Sequence, residues 1–151
     1  MCRPILTAMA LVAVASLAAV VPADAIQVQD MKEFKSIQGR YGPKGDCSKY
    51  SQVVIDERGF GLDHGKDKLE RVTTLDYSAS FWGAFAKPDA HAFYPYGTLG
   101  GSMPLLALVN ADHPGSLRVE GNDFGWEGGP PVPAQYKPWI AGSPYARCAT
   151  G

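Results

Sequence analysis

Residues 105–121 read LLALVNADHPGSLRVEG, and this stretch decides the fold class. Leu105 to Asn110 is an uncharged, mostly apolar run, a turn follows at Asp112 to Gly115, and Ser116 to Gly121 alternates apolar with polar side chains. Two strand-length segments on either side of a tight turn predict a β-hairpin. The apolar run is typical of a central strand, because both faces of such a strand are covered.

A second hairpin is predicted ahead of the first, at residues 52–62. Gln52 to Asp56 and Phe60 to Leu62 enclose the short, glycine-bearing connection Glu57 to Gly59. Leu69 to Tyr77 then alternates with one slip, which a β-bulge would absorb within a single strand.

Further strands are predicted on both sides of these hairpins. Ser36 to Tyr41 is the first strand of the prediction, and Ser80 to Ala86 and His91 to Tyr96 are two aromatic strands. Pro95 marks the second aromatic strand as an edge strand, because proline has no N–H to donate to a ladder.

Short strands, frequent turns and the absence of a long helical pattern predict an all-β domain. The chain contains 17 Gly and 12 Pro, and from Gly125 onward these residues predict an irregular wrap with a short helical turn near Gln135 to Ile140. The expected fold is a small antiparallel β-barrel or sandwich with this C-terminal wrap and little helix. Consecutive hairpins with short turns describe a meander, which favours the barrel.

Residues 1–25 have the pattern of an export signal. Arg3 supplies a positive start, Ile5 to Val21 is apolar and uncharged, and Ala23 to Ala25 matches a small-x-small cleavage site. A membrane anchor is the alternative, but the run is rich in Ala and no basic cluster follows it. We predict a cleaved signal peptide at 1–25, a single all-β domain at 26–151, and a periplasmic or secreted location.

Two cysteines remain after the predicted cleavage, Cys47 and Cys148. Disulfides form and persist in the oxidising compartments outside the cytoplasm, so we predict a Cys47–Cys148 disulfide bond. A catalytic thiol or a pair of metal ligands are the alternatives, and no neighbouring sequence motif supports either of them.

The charge balance and the motif content exclude several kinds of function. With 14 Lys and Arg against 15 Asp and Glu, the chain lacks the basic excess of a nucleic-acid-binding protein. The histidines do not have zinc-site spacing, and no nucleophile motif or phosphate-binding loop occurs. We therefore predict no catalytic residue, no metal site and no cofactor.

An aromatic cluster is the remaining unusual feature of the chain. One interpretation is that these rings fill the core, because aromatic side chains bury large areas. The other is that Trp82, Tyr94 and Tyr96 are partly exposed and form a contact patch for a partner or an apolar ligand. The cluster consists of Phe81, Trp82, Phe85, Phe93, Tyr94 and Tyr96.

Two short segments carry a resemblance to known proteins. Gly39 to Cys47 (GRYGPKGDC) and Ser143 to Cys148 (SPYARC) resemble segments of small exported bacterial proteins of uncharacterised function. In size, export signal and cysteine number, the chain is also similar in architecture to small periplasmic barrels that inhibit lysozymes. The second resemblance implies a compact barrel and does not assign any residue a role.

The function expected from the sequence is a non-catalytic binding module of the cell envelope, a monomer that engages a protein or a small ligand through its aromatic surface. An envelope enzyme is the first alternative, with a site assembled from Asp63, His64, His91 and His113. A structural envelope component is the second alternative.

Overall fold

The computed structural model describes residues 26–78, 90–98, 103–110, 113, 115–121 and 131–149. Most of the regular structure in these residues is antiparallel β-sheet, as the sequence predicted. The strands are β1 (Ile26–Gln27), β2 (Gly39–Pro43), β3 (Gln52–Asp56), β4 (Gly59–Asp63), β5 (Leu69–Arg71), β6 (Leu75–Ser78), β7 (Ala90–Pro95), β8 (Leu105–Asn110), β9 (Ser116–Gly121) and β10 (Tyr145–Arg147).

The described strands form one sheet in the order β1-β6-β7-β8-β9-β10-β2-β3-β4-β5. Strands β2 to β5 are one meander and β6 to β10 are a second, and the pairing of β10 with β2 joins them. The sheet curls into a half-barrel that is open between its two edge strands, β5 and β1. Strands β5 and β6 follow each other in sequence but do not pair. The all-β, barrel-like prediction is therefore confirmed.

Both predicted hairpins are present, and their register explains why they form. In the first hairpin Val53 lies opposite Leu62 and Ile55 lies opposite Phe60, and all four side chains are at most 1% exposed. The alternation of these apolar residues places one face of each strand inside the curl. The second hairpin is β8 paired with β9, and β8 lies inside the sheet between β7 and β9.

Two strand predictions are wrong at the point where the sheet is open. Leu69 to Tyr77 is not one bulged strand, because its first part (β5) pairs with β4 and its second part (β6) pairs with β7. Strand β7 is not an edge strand, since it lies between β6 and β8. Pro95 is tolerated there because it is the last residue of β7, where the ladder ends.

The N-terminal segment crosses the open side of the half-barrel. The Val28 N–H donates to the Leu75 carbonyl (2.7 Å) and the Met31 N–H donates to the Glu57 carbonyl (2.9 Å). A 3₁₀ helix follows at Lys32–Ile37, so the first long strand (β2) begins at Gly39 and not at Ser36 as predicted. Met31 is fully buried and fixes the segment to the core.

The C-terminal wrap is more regular than the sequence predicted. The expected helical turn is present, as a 3₁₀ turn at Ala134–Tyr136 and a short helix, α1, at Lys137–Ala141. The wrap then forms β10, which the prediction missed because its partners β2 and β9 are distant in sequence. Trp139 from α1 is fully buried in the core.

The predicted disulfide bond is present. Cys47 and Cys148 are bonded, with their Cα atoms 5.7 Å apart and a sequence separation of 101 residues. The Cys148 N–H also donates to the Arg40 carbonyl (2.8 Å), which continues the β10–β2 pairing to the disulfide. This covalent link is compatible with an exported protein.

Two predictions fall on residues outside the described ranges. They are the signal peptide at 1–25 and the aromatic strand at Ser80 to Ala86, which includes Trp82. In the part of the chain that the structure describes, none of the helices is long and apolar enough to cross a membrane.

Candidate functional site

The two tyrosines predicted to form a shared contact surface lie on opposite faces of the sheet. Tyr94 is 8% exposed and packs with Ala92 and Leu106, on the face opposite to the main core. Tyr96 packs against the main core. Strict alternation predicted a common face, but Tyr96 follows the end of β7 with a φ of 62°, and this left-handed conformation reverses its side chain.

Tyr96 is part of a small network that spans the open side of the half-barrel. Its hydroxyl donates to Glu70 Oε1 (2.7 Å), and its ring lies 5.2 Å from that of Tyr136 and 6.1 Å from that of Trp139. Burial and the neighbouring Glu70 carboxylate raise the pKa of the Tyr96 hydroxyl. Tyr94 and Tyr96 therefore pack the sheet, and their role in binding stays a prediction.

The histidines named for the enzyme alternative have separate partners. His64 Nε2 lies 3.2 Å from Glu70 Oε2, and His91 Nδ1 lies 2.9 Å from the Tyr77 hydroxyl. His113 is exposed. Among the described residues, no group of three or more His, Cys, Asp or Glu could hold a metal ion.

The N-terminal segment lines a pocket in the part of the chain that the structure describes. This pocket has a volume of about 190 Å³ and lies at the open side, between residues 27–31 and the chain at 58–60 and 72–75. Its large apolar side chains Met31 and Phe60 are at most 1% exposed, so they belong to the core and offer little surface to a ligand.

Another pocket is an open groove on the outside of β2 and β4, which we call the Tyr50 groove. Its volume is about 340 Å³, within the range of small-molecule sites. Two of the three exposed large hydrophobic residues of the described chain, Tyr50 and Leu69, line it. The residues of the groove are Arg40, Tyr50, Asp63, Gly65, Lys66, Asp67 and Leu69.

The ring of Tyr50 is exposed and held in place by a glycine. The residue is 64% exposed, yet a Cβ atom added to Gly65 would lie 2.6 to 2.8 Å from three of its ring carbons. The ring therefore rests directly on the Gly65 backbone, which has a φ of 79°. One side of the ring is fixed against the protein and the remainder is available for contact.

Left-handed backbone conformations cluster around this ring. Ser51 (φ 65°), Lys66 (φ 53°) and Asp67 (φ 61°) are three of the five non-glycine residues with positive φ in the described chain. Such residues cost free energy and concentrate at binding and catalytic sites. Their position next to Tyr50 is an independent reason to consider the groove functional.

An ion pair fixes the polar side of the groove. Arg40 Nη1 donates to Asp63 Oδ2 (2.7 Å) and to Gln52 Oε1 (3.1 Å), while the Gly65 N–H donates to Asp63 Oδ1 (2.8 Å). The hydrogen bonds from Arg40 and Gly65 hold the pKa of Asp63 below its usual value. Asp63 is therefore an ionised acceptor at neutral pH, beside a guanidinium whose side chain is 54% exposed.

Gln52 connects this ion pair to the loop that carries Tyr50. Its Nε2 donates to the Cys47 carbonyl (2.8 Å) and to the Lys49 carbonyl (3.1 Å). The disulfide at Cys47 anchors the same loop to the C-terminus. Gln52 and the disulfide thus hold the loop that carries Tyr50, and the exposed ring itself rests on Gly65.

Tyr50 is not among the functional residues predicted from the sequence. It lies between Cys47 and β3, in a short polar loop, outside the denser aromatic cluster of residues 81–96. The available signal was an isolated aromatic residue in a loop otherwise made of Ser and Lys. Tyr50 contacts the turn at Asp63 to Asp67 only because β3 pairs with β4.

An orphaned carboxylate lies elsewhere, on β6. Asp76 is fully buried, and neither of its carboxylate oxygens has a hydrogen-bond partner among the described residues. A Cβ added to Gly97 would lie 2.7 Å from Asp76 Oδ2, so this backbone packs against the carboxylate. Burial raises the pKa of Asp76.

Comparisons with known proteins add no relative to this description: no protein-family model, no curated protein and no solved structure matches the chain.

Proposed function

We propose that this protein is a non-catalytic binding module of the cell envelope, and that it engages its ligand at the Tyr50 groove. The observation that carries the proposal is the exposed Tyr50 ring seated on Gly65. Rigid, exposed aromatic side chains are frequent anchors of recognition, because they supply a large contact area at a small cost in conformational entropy.

The electrostatics of the groove favour recognition over catalysis. The carboxylate of Asp63 accepts hydrogen bonds from Arg40 and Gly65, and its lowered pKa makes it a weak base. A general base needs a pKa near the working pH. A fixed carboxylate and a fixed guanidinium are instead suited to oriented hydrogen bonds with a bound molecule.

Export is the second half of the proposal. The signal-like residues 1–25 and the Cys47–Cys148 bond both support a location outside the cytoplasm. A small domain whose C-terminal segment is joined by a disulfide to the loop after β2 is suited to an oxidising environment.

The test is co-sedimentation of the oxidised protein with isolated cell envelopes. We expect the natural protein to sediment with the envelopes, Tyr50→Phe to behave like it, and Tyr50→Ala to bind at least about tenfold more weakly. Arg118→Ala on β9 is the control, because Arg118 contacts Glu120 and lies outside the groove.

Circular dichroism would show that each variant is folded. If the natural protein does not sediment, or if a folded Tyr50→Ala variant sediments like it, the proposal is wrong.

A further inference from the structure

We infer that the ligand of the Tyr50 groove is a saccharide, which stacks the apolar face of a pyranose ring on Tyr50 and hydrogen-bonds through its hydroxyls to Arg40 and Asp63. This inference rests on the proposed function, since it names the ligand class for the same groove.

The first argument is the shape of the apolar contact. Tyr50 offers a flat ring, fixed on one side by Gly65, in a groove whose other lining side chains are polar or charged except for Leu69. A pyranose ring has the matching form, because its axial C–H groups make a flat apolar face while its hydroxyls point outward at the edge. The hydrogen atoms of these C–H groups carry a partial positive charge and are attracted to the negative face of an aromatic ring.

The second argument is charge. The groove is lined by two cations, Arg40 and Lys66, and by two anions, Asp63 and Asp67. A strongly anionic or strongly cationic ligand would therefore gain little net attraction and would meet repulsion from half of these groups. A neutral ligand does not experience this repulsion.

The third argument is hydrogen-bond chemistry. Asp63 is held ionised and accepts hydrogen bonds, whereas the exposed Arg40 guanidinium donates them. A hydroxyl group both donates and accepts, so two neighbouring hydroxyls of a sugar match this pair. Hydrogen bonds to charged groups are stronger than those between neutral groups, which makes the pair a suitable determinant of orientation.

An aromatic or aliphatic side chain of a protein partner is the competing occupant. Such a side chain would use the Tyr50 ring but would leave Arg40 and Asp63 without new partners. The two ligand classes therefore differ in their dependence on Asp63, and the experiment below uses this difference.

The test is a titration of the oxidised protein, isotopically labelled for NMR, with tetrasaccharides of β-1,4-linked glucose and of β-1,4-linked N-acetylglucosamine at up to about 10 mM. We expect saturable amide shifts in residues 49–52 and 63–67. Tyr50→Phe should retain the shifts, while Tyr50→Ala and Asp63→Asn should each weaken the affinity at least about tenfold.

Salt supplies a second readout. Because the saccharides are neutral, we expect their affinity to change less than about twofold between roughly 0.05 and 0.5 M NaCl, over which exposed charges are increasingly screened. A steep loss with salt would contradict recognition of a neutral ligand.

The outcomes separate this inference from the proposed function. If neither tetrasaccharide shifts the groove amides while envelope binding still requires Tyr50, the saccharide is wrong and the binding module stands. If saccharide shifts persist in Tyr50→Ala, the inference is also wrong. If envelope binding is absent, or does not depend on Tyr50, the proposed function itself is wrong.

Discussion

At the scale of single residues, two positions determine whether an exposed ring can act as an anchor. Tyr50 supplies the exposed aromatic ring, and Gly65, which has no side chain, allows that ring to rest on its backbone. The sequence contains both residues, but nothing in it indicates that they touch, because their contact is made by the pairing of β3 with β4. A sequence pattern therefore identifies an isolated aromatic residue but not the residue on which its ring rests.

Gly65→Ala tests this support directly. The added Cβ would collide with the Tyr50 ring, and the left-handed φ of 79° is unfavourable for alanine. We expect the free energy of unfolding to fall by about 1–2 kcal/mol and envelope binding to weaken although Tyr50 is unchanged.

Gly59→Ala is the matched control, because Gly59 also has a positive φ (118°) but an added Cβ there meets nothing within 4 Å. Urea denaturation and co-sedimentation of both variants make the comparison. Equal envelope binding by the two variants would contradict the proposed support of the ring.

Asp76 predicts an unusual dependence of stability on pH. Its buried carboxyl has a pKa above the usual 3.8, so the folded state favours the protonated form. The stability associated with this group is complete below the usual pKa and is lost as the pH rises through the raised pKa. As the pH rises from about 4 to about 8, we expect Asp76→Asn to lose less of its free energy of unfolding than the natural protein.

Asp46→Asn is the opposite case and serves as the control. Hydrogen bonds from Ser48 lower the pKa of Asp46 to about 2, so its contribution is lost as the pH falls and not as it rises. Urea denaturation at a series of pH values measures both variants. An unchanged pH slope in Asp76→Asn would show that this carboxylate is solvated in solution.

At the scale of elements, the local hairpins could be predicted from sequence and the long-range pairings could not. Strands β3 and β4 carry their turn and their alternation within a few residues. Strand β10 has only three residues, Tyr145–Arg147, and no local pattern. It forms because β2 and β9 present free edges on either side of it. Leu69 to Tyr77 is divided between β5 and β6 for a similar reason, because its two parts pair with different strands, β4 and β7.

Ala146→Pro tests the importance of β10. Ala146 lies opposite Gly42 of β2 and Ser116 of β9, so a proline there would remove a ladder hydrogen bond between two paired neighbours. We expect a loss of about 3 kcal/mol or more in the free energy of unfolding. Ala149→Pro, at an exposed position beyond the strand, should be close to neutral. If both variants were equally stable, β10 would not join the two meanders.

At the scale of the whole molecule, the disulfide bond and β10 perform the same task. Both connect the start of the first meander to the end of the second. The sequence predicted the disulfide by cysteine count and compartment, and it predicted an all-β barrel-like fold from short strands and frequent turns. The location of the groove could not be predicted, because it is built from three segments that are brought together only by the curled sheet.

Reduction of the Cys47–Cys148 bond should destabilise the protein strongly. The bond closes a loop of 101 residues in sequence separation, and in the chain-entropy model such a loop is worth up to about 4.7 kcal/mol. We expect a markedly lower midpoint of thermal unfolding after reduction, and the same decrease in a Cys47→Ser, Cys148→Ser variant without reductant. An unchanged midpoint after verified reduction would show that the bond contributes little to stability.

The most direct test of the binding proposal is chemical modification of Tyr50 in the free and the bound protein. Nitration with tetranitromethane, followed by peptide mass spectrometry, reports the accessibility of each tyrosine. At 64% exposure, Tyr50 should be nitrated readily in the free protein and should be protected after the protein binds to isolated envelopes. Equal nitration of Tyr50 in the free and the envelope-bound protein would contradict binding through this groove.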